Sequence, residues 1–503
     1  MTGTREHEVV TSARPADLAW VESEELRDAA IAVLSKNARA GYVAPARGLY
    51  VHQHLWDSCF VAIGQRHIDP GAAMGGLERL VEAQWSNGMI PNISFERGWR
   101  YWLDRRVWRS RVSSSAPRRI ATGGISQPPM LAEAVVRVGE VLPGDERLAW
   151  YRRMHRPLVA YHRWLHLDRG ADGSGLVTQI HPWETGLDDS PPLLEVLGRS
   201  PTPWWIDLVT RTRADRLASR LRRDTKYVPA DERSSTVEAL RLYGALRRIR
   251  ALRYDDATAL RYGPFVIQDL TTNSVLVRAN ARLRQLAQEA GLPLPPDLVR
   301  AMRVHESAVD RLWDPRSGSY FSRDPRSGEL VAEPSVAALM PLYAGCPDGA
   351  RAEQLVDMLL DPRVFGAPYP VPSVPLRSRW FQPRRYWQGP TWINMNWLVI
   401  DGLRRYGFDA EADALRLKTL AVVARSGFSE YYHPLTGTPA GAKDFSWTAA
   451  LVIDLLSEGP RRVDLQGVDP RGVDPRRDGR PRRSGPLARA TAARPGGRPT
   501  EAR

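Results

Sequence analysis

The chain contains 503 residues, 43% of them apolar, and carries a formal net charge of +14. Half of this excess lies in residues 461–503, where twelve Arg face five acidic residues. The remaining chain shows no recognisable nucleic-acid-binding module, so a specific nucleic-acid partner is excluded. Two distant cysteines, no apolar leader and no apolar run of the ~20 residues that a membrane span needs predict a soluble, cytoplasmic protein without disulfides.

Helical periodicity dominates outside residues 167–264, and strand signals are scarce. In chain order we predict twelve helices, at 16–40, 56–67, 72–84, 129–140, 145–166, 265–290, 295–312, 334–343, 350–360, 391–406, 410–425 and 446–457. Every second helix, beginning with 56–67, is apolar around most of its circumference, which is typical of a buried helix. The others are amphipathic.

This alternation predicts an all-α fold of six helical hairpins closed into an (α/α)6 barrel. A helical solenoid shares the alternation, but the sequence has no repeat of fixed period. We assign residues 1–166 and 265–458 to the barrel. Residues 167–264 are predicted to form an inserted helical cap over one mouth, with helices near 206–222 and 234–252. Residues 459–503, rich in Pro, Arg and Gly, are predicted to be a disordered basic tail.

Polar and aromatic side chains recur at the N-terminal ends of the predicted inner helices. The set comprises Tyr50, Trp56, Asp57, Gln127, Gln268, Asp269, Asn273, Trp387, Gly389, Trp392, Glu430 and Lys443. In a barrel of parallel inner helices these ends share one mouth, so the residues are predicted to converge there. A structural helix start needs only a Ser or Asp cap, whereas repeated Trp and amide side chains are typical of a binding site.

Two acidic segments suggest the chemistry of that site. The loop 181–191 contains Glu184, Asp188 and Asp189, and Glu430 precedes two tyrosines. Hydrolysis of a glycosidic bond uses two carboxyl groups on either side of a sugar, with aromatic faces holding the ring. The residues alone leave other roles open: a turn for the acids before Ser-Pro, a helix-terminal charge for Asp57, surface acids, and core tryptophans.

Other catalytic chemistries lack support in the sequence. His52, His54 and His67 suggest a metal site, but the His-x-His pair at 52 and 54 lacks a convincing third ligand. A Gly-x-Ser-x-Gly elbow and a glycine-rich phosphate loop are both absent from the sequence. We therefore predict neither a metal nor a cofactor.

Six segments between residues 40 and 458 stand in an order that points to one family. They are LWDS at 55–58, QWSNGMIPN at 84–92, WETGLD at 183–188, YWQGPTWIN at 386–394, EYYHPLTG at 430–437 and FSWTA at 445–449. Together they resemble glycoside hydrolase family 63, in its bacterial branch of mannosylglycerate and glucosylglycerate hydrolases. The most specific of them is the YWxGPxW block.

The resemblance implies an (α/α)6 barrel with a helical insertion and an inverting mechanism. It implies that Asp188 is the general acid and Glu430 the general base. It also implies a set of sugar-binding residues: Trp56, Asp57, Gln127, Tyr386, Trp387, Gly389 and Trp392. Tyr50 and Glu184, from the same loops, complete the predicted substrate-binding set.

The chain departs from the family pattern at two positions. Asp189 stands where Asn is common, and its charge is expected to help hold Asp188 protonated by like-charge repulsion. Gln388 stands where Arg is frequent, which alters the leaving-group side of the pocket. If the leaving group is glycerate, its carboxylate needs a cation, preferably an Arg fork. The candidates are Arg222, Arg223, Lys226 and Arg233.

The predicted function is inverting hydrolysis of an α-glycosidic bond in a small solute, glucosylglycerate or mannosylglycerate, to sugar and glycerate. The two carboxyl groups should stand roughly 6.5–9.5 Å apart to admit the attacking water. The alternatives are an α-glucosidase or trehalase-like enzyme acting on other short α-glucosides, and a non-catalytic sugar-binding protein. The expected partner is the small glycoside, with no membrane association; a homo-oligomer is left open.

Overall fold

The computed structural model describes residues 23–200, 203–212, 222 and 224–458, and these are mostly helical. The helices are α1 Glu24–Asn37, α2 Leu55–Gln65, α3 Pro70–Glu82, α4 Trp102–Trp108, α5 Leu131–Glu140, α6 Gly144–Arg163, α7 Pro191–Arg199, α8 Trp204–Arg211, α9 Thr236–Ala251, α10 Asp256–Tyr262, α11 Leu270–Ala290, α12 Pro296–Val309, α13 Met340–Ala344, α14 Gly349–Leu360, α15 Ile393–Arg405, α16 Asp409–Ser426 and α17 Ser446–Glu458. None of the described helices combines the length and apolarity that crossing a bilayer requires.

The described strands form short antiparallel pairs. They are β1 Ala38–Arg39 with β2 Tyr42–Val43, β3 Gln53–His54 with β4 Ile93–Ser94, β5 Trp313–Asp314 with β6 Ser319–Tyr320, β7 Ser322–Arg323 with β8 Leu330–Val331, and β9 Ser429–Tyr432 with β10 Pro439–Lys443. The β9–β10 pair matters most for the site, because Glu430 lies on β9.

The twelve helices predicted outside 167–264 have counterparts in the structure, with most bounds shifted by a few residues. The exceptions have local causes. The predicted helix 334–343 is a 3-10 turn, Val336–Leu339, followed by the single turn of α13. Residues 16–22 of the first predicted helix, most of the second half of the helix predicted at 206–222, and the tail 459–503 lie outside the described residues.

Three described helices were not predicted. In α7, Pro191 and Pro192 occupy the first turn, where a missing N–H costs nothing, and Leu193, Val196 and Leu197 bury its inner face. The prolines therefore begin a helix rather than only marking a turn. Helices α4 and α10 are seven residues long, too short for a readable apolar period.

Six apolar helices form a series in which each packs against the next. Helix α2 contacts α5, α5 contacts α11, α11 contacts α13, α13 contacts α15, α15 contacts α17, and α17 contacts α2. Glycine permits the closest of these approaches. A Cβ on Gly64 of α2 would lie 1.9 Å from the Ala450 carbonyl oxygen of α17. The amphipathic helices α1, α3, α6, α12 and α16 pack against members of this series.

A buried ion-pair network links several of these helices inside the core. Glu133 of α5 accepts from Arg137 at 2.7 Å, from Arg278 of α11 at 3.0 Å and from Arg282 at 2.8 Å. Arg137 also pairs with Asp401 of α15. Burial alone would raise the pKa of Glu133, but the three guanidinium groups hold it well below its usual range. The network therefore ties α5, α11 and α15 together through charges that depend on one another.

Candidate active site

A cavity of about 500 Å3 lies where the loops before α2, α5 and α15 and the first turn of α17 meet β9, residues 183–188, residues 222 and 224, and residues 233–242. This volume is typical of a small-molecule site. Its walls are rich in aromatic side chains: Tyr50, Trp56, Trp108, Trp183, Tyr386, Trp387, Trp392, Phe445 and Trp447. Four carboxyl groups line it as well: Asp57, Asp188, Asp224 and Glu430. The cavity therefore combines apolar ring faces with acids.

The structure brings most of the predicted site residues to this cavity. The lining includes Tyr50, Trp56, Asp57, Gln127, Asp188, Tyr386, Trp387, Trp392 and Glu430. These residues come from segments separated by up to 380 positions in the sequence. Of the predicted set, Glu184 and Gly389 are not among the lining residues.

Glu184, a predicted substrate-binding residue, is not among the residues that line this cavity, and its carboxylate is engaged by protein donors. Its two carboxylate oxygens accept from the Arg169 guanidinium at 2.7 and 2.9 Å. They also accept from the backbone amides of Ile180 at 2.6 Å and Ser126 at 3.1 Å. A carboxylate engaged in this way anchors the loop that carries Asp188, and a contact between Glu184 and sugar stays a prediction.

Gly389 is also set back from the cavity. Its amide donates to Ser373 Oγ at 2.8 Å, and a Cβ at this position would lie 2.5 Å from the Gln382 carbonyl oxygen. The glycine is therefore required by close backbone packing. Substrate contact through Gly389, as the sequence suggested, is not what this geometry provides.

The N-terminal end of the third inner helix, α11, does not contribute its polar residues to the cavity, contrary to expectation. Asp269 caps α11 by accepting from the Thr272 amide at 2.8 Å. Asn273 donates to the Val177 carbonyl at 3.0 Å, and Gln268 donates to Asp172 at 2.7 Å. These side chains hold residues 172–179 against α11. The prediction that polar residues at the N-terminal ends of all inner helices converge on one site is therefore wrong for α11.

Glu430 is 1% exposed, and its carboxylate is held by several donors. Arg233 donates to Oε2 at 2.7 Å and to Oε1 at 3.2 Å. The Tyr50 hydroxyl donates to Oε1 at 3.0 Å, and the Ala442 amide donates to Oε2 at 2.8 Å. Arg233 was predicted as a candidate ligand for a leaving-group carboxylate, but both terminal nitrogens of its guanidinium group donate to Glu430. Such charge-assisted bonds fix the orientation of a carboxylate.

Backbone irregularity in the β9–β10 hairpin brings the Ala442 amide to Glu430. The register shifts between Ala440 and Lys443, and Gly441 adopts φ +73°. A Cβ on Gly441 would lie 2.7 Å from Glu430 Oε2. Glycine is therefore demanded here both by the left-handed backbone and by the carboxylate.

Asp188 has a contrasting environment. The Tyr386 hydroxyl donates to its Oδ2 at 3.2 Å, and the side chain faces the cavity. Burial, followed by the charge of Asp189, raises the pKa of Asp188 to about 7. A carboxyl group with this pKa is substantially protonated near neutrality and can serve as an acid.

Asp57 is a third carboxyl group of the cavity. It lies in the first turn of α2 and is nearly buried. Burial raises the pKa of Asp57 to about 8, and the charges of Glu430 and Asp188 add to the shift. The sequence left open that Asp57 is only a charge at a helix N-terminus. In the structure Asp57 lies at that N-terminus and also lines the cavity.

The aromatic residues form a rigid wall. Trp387 and Trp392 stack with their rings parallel and centroids 3.8 Å apart, and Trp447 meets Trp56 edge to face at 5.4 Å. Tyr386 has φ +33°, an uncommon conformation for a residue with a side chain. Its carbonyl accepts from Trp392 Nε1 at 3.0 Å. Backbone strain of this kind is often found at functional sites.

Among the four cations predicted for the leaving group, Arg222 and Arg233 line the cavity. Arg222 donates to Asp224 and to the Ser234 carbonyl. Lys226 is exposed and is not among the lining residues, and Arg223 lies outside the described residues. Other lining residues were not included in the predicted substrate-binding set, among them Leu49, His54, Asn92, Trp108, Trp183, Asp224, Ser234 and Trp447. Asn92, Trp183 and Trp447 lie inside the motif segments, so their positions could have predicted that they line the site.

Two carboxyl groups that line one cavity together with stacked indoles are what cleavage of a glycosidic bond requires. Fold and site thus define the class as glycoside hydrolase. The sequence profile of one family in that class, described as "Mannosylglycerate hydrolase MGH1-like glycoside hydrolase domain", matches residues 50–448. The chain belongs to this family.

Relatives and solved structures agree with that assignment. A mannosylglycerate hydrolase from Thermus thermophilus is 39% identical over 84% of this chain and 99% of its own length. A glucosylglycerate hydrolase from Mycolicibacterium hassiacum is 31% identical over 81% of this chain and 92% of its own. The crystal structure of a GH63 mannosylglycerate hydrolase from Thermus thermophilus with Tris and D-glycerate is similar, with a TM-score of 0.77 and 37% identity over 85% of this chain and 99% of that one.

Proposed function

We propose that this glycoside hydrolase cleaves mannosylglycerate or glucosylglycerate with inversion, releasing the sugar and glycerate. The observation that carries the proposal is that Asp188 and Glu430 line one cavity in opposite electrostatic settings. Glu430 is bound by a guanidinium fork, whereas Asp188 has a pKa raised to about 7. The relatives named after the two glycerate glycosides support the choice of substrate.

The proposed architecture is an (α/α)6 barrel with residues 167–264 as a cap over its mouth. The series of helix contacts from α2 through α5, α11, α13, α15 and α17 returns to α2, as a closed ring of inner helices would. The segment 167–264 supplies Asp188 and Arg233 to the cavity, which suits a cap. It also supplies Arg222.

In the proposed mechanism, Asp188 gives its proton to the bridging oxygen as the bond to the anomeric carbon breaks. A water molecule attacks that carbon from the other face and passes its proton to Glu430. The two carboxyl groups would stand roughly 6.5–9.5 Å apart, as this geometry demands. Arg233 and Tyr50 keep Glu430 oriented toward that water.

The proposed sugar pocket uses Asp57, Gln127 and the tryptophan wall. Gln127 Oε1 is buried and has no hydrogen-bond partner among the described residues, so a sugar hydroxyl can donate to it. Trp56, Trp387 and Trp392 offer apolar faces to the ring. For the glycerate carboxylate, Arg222 is the proposed partner, because it lines the cavity and its ion pair with Asp224 is more exposed than the buried pair of Arg233 with Glu430.

The test is product analysis with a substrate panel of mannosylglycerate, glucosylglycerate, trehalose and short α-glucosides. We expect sugar and glycerate in equal amounts from at least one glycerate glycoside. Turnover of trehalose or short α-glucosides alone would establish the alternative specificity. Binding without turnover would establish a sugar-binding protein.

The same panel with Asp188→Asn separates binding from catalysis. We expect the loss of the acid to lower kcat by about 10²–10⁴-fold. Binding of the substrate, measured by calorimetry, should persist, because the tryptophan wall and Asp57 are unchanged. Full activity in this variant would remove Asp188 from the mechanism.

A further inference from the structure

Asp189 is a buried acid directly beside the proposed acid Asp188. Its side chain is fully buried. Oδ1 accepts from the Trp387 amide at 3.0 Å, and Oδ2 accepts from Ser234 Oγ at 2.9 Å and from Gln388 Nε2 at 3.4 Å. Among the ion pairs of the described residues, none includes Asp189. Asp189 takes no part in the bond-making steps of the proposed mechanism, and the sequence indicated only that its charge would repel that of Asp188.

The two neighbouring acids differ in the donors that reach them. Three donors point at the Asp189 carboxylate, whereas only the Tyr386 hydroxyl reaches that of Asp188 among the described residues. Hydrogen bonds donated to a carboxylate favour its ionised form. When one proton is shared between these acids, the negative charge therefore resides on Asp189 and the proton on Asp188. Burial raises the pKa of Asp189 to about 6 and that of Asp188 to about 7, in the same order.

The charged groups around the pair do not cancel the charge of Asp189. Facing Asp188 are Asp57 from α2, Glu430 from β9, and Tyr386 and Arg233 from the flanking loops. Facing Asp189 are Glu238 of α9 and Arg385. Arg233 is paired with Glu430, and Arg385 is paired with Glu238. Both nearby cations are therefore bound to other acids.

We propose that Asp189 is a positioning residue for catalysis, whose buried negative charge keeps the transferable proton on Asp188. This assignment rests on the proposed function, in which Asp188 is the acid. In each turnover the Asp188 proton goes to the leaving oxygen, while a water proton goes to Glu430. Glu430 then releases its proton to solvent, two adjacent carboxylates remain at positions 188 and 189, and their repulsion favours uptake of a proton from solvent by Asp188. Asp189 thus restores the acid for the next cycle.

The test is the pH dependence of kcat/KM in Asp189→Asn. The amide retains the oxygen that accepts from Trp387, and its NH2 group can donate to Ser234 Oγ. Because a like charge at close range is removed, we expect the alkaline limb of the profile to move down by about one pH unit. Activity on that limb should fall about tenfold, while activity on the acidic side stays near wild type. A charge-matched control, Glu353→Gln on the exposed face of α14, should leave the profile in place.

Two results would overturn the assignment. A uniform loss of activity at every pH would show that Asp189 only supports the loop, and an unshifted alkaline limb would show that its charge is irrelevant. If Asp189→Asn fails to fold, Ser234→Ala decides: it removes one donor from Asp189 and should move the alkaline limb in the same direction. The substrate panel tests the proposed function separately, and full activity of Asp188→Asn would remove Asp188 from the mechanism and with it the role assigned to Asp189.

Discussion

The base in this account is held by a fork of charge-assisted hydrogen bonds. The Glu430 carboxylate accepts hydrogen bonds from both terminal nitrogens of Arg233. The Arg233 guanidinium also lies over the Tyr386 ring, 4.8 Å from the ring centroid. Tyr386 in turn donates to Asp188. The Arg233 guanidinium therefore contacts both the proposed base, Glu430, and the tyrosine that donates to the proposed acid, Asp188. Its planar geometry matters as much as its charge.

Replacing the fork while keeping the charge tests this arrangement. In Arg233→Lys a single ammonium cannot reach both oxygens of Glu430 in the same way, so the carboxylate loses its fixed orientation. We expect kcat to fall about 10–100-fold, with a smaller change in KM, measured by steady-state kinetics. Tyr50→Phe, which removes one donor from Glu430, should cost less. A wild-type kcat in Arg233→Lys would contradict the positioning role.

Asp57 offers a test in which activity and stability move in opposite directions. Its folded pKa of about 8 lies above the unfolded value, so the folded state binds its proton more tightly. Stability is therefore lost as pH rises from about 4 toward 8, because only the unfolded chain ionises freely. Asp57→Asn should raise the melting temperature more at pH 8 than at pH 5, and should abolish most turnover. Equal stabilisation at both pH values would contradict the raised pKa.

At the residue scale, sequence patterns predicted the acids but not their partners. Asp188 and Glu430 stand in acidic and aromatic segments that suggest carbohydrate chemistry. The ion pair between Arg233 and Glu430 joins residues 197 positions apart, and no local pattern reveals it. For Glu184 the sequence predicted a site residue but not its partner Arg169. Its fork with Arg169 exists only in the folded loop, so the sequence offered no reason to exclude it from the site.

At the element scale, the β9–β10 hairpin determines where the base stands. Gly441→Ala places a Cβ against Glu430 Oε2 at a positive φ. We expect destabilisation of about 1–2 kcal/mol and a fall in kcat of at least about tenfold. Gly437→Ala is the matched control, because Gly437 has a similar φ of +71° but faces the Tyr369 ring. The control should lose stability and keep its kcat. An equal loss of kcat in both variants would contradict the link to Glu430.

Helix periodicity was sufficient to predict the long helices, because burial imposes a 3.6-residue pattern on them. It failed where the pattern is short or the start is unusual. Helix α7 begins at two prolines, and α4 exposes Trp102 and Leu103, which hides its apolar face from a periodicity argument. Helix periodicity also says nothing about the bulge in the β9–β10 hairpin, where the Ala442 amide and Gly441 lie against Glu430.

At the scale of the whole molecule, the ion network around Glu133 supports the core. Glu133→Gln removes the buried anion shared by the buried Arg137 and the half-buried Arg278 and Arg282, so we expect a loss of about 3–5 kcal/mol in the free energy of unfolding, measured by urea titration. Glu140→Gln is the control, since Glu140 is exposed and pairs with Arg282 at 3.5 Å. It should cost well under about 1 kcal/mol. A similar loss in both variants would contradict the dependence on burial.

The central claim is that water attacks the anomeric carbon directly, with Asp188 as acid and Glu430 as base. Proton NMR of the first-formed sugar from mannosylglycerate and glucosylglycerate tests it most directly, before mutarotation equilibrates the anomers. The account predicts that the β-anomer appears first from each α-glycoside that is hydrolysed. First appearance of the α-anomer would require a covalent glycosyl-enzyme and would contradict the account.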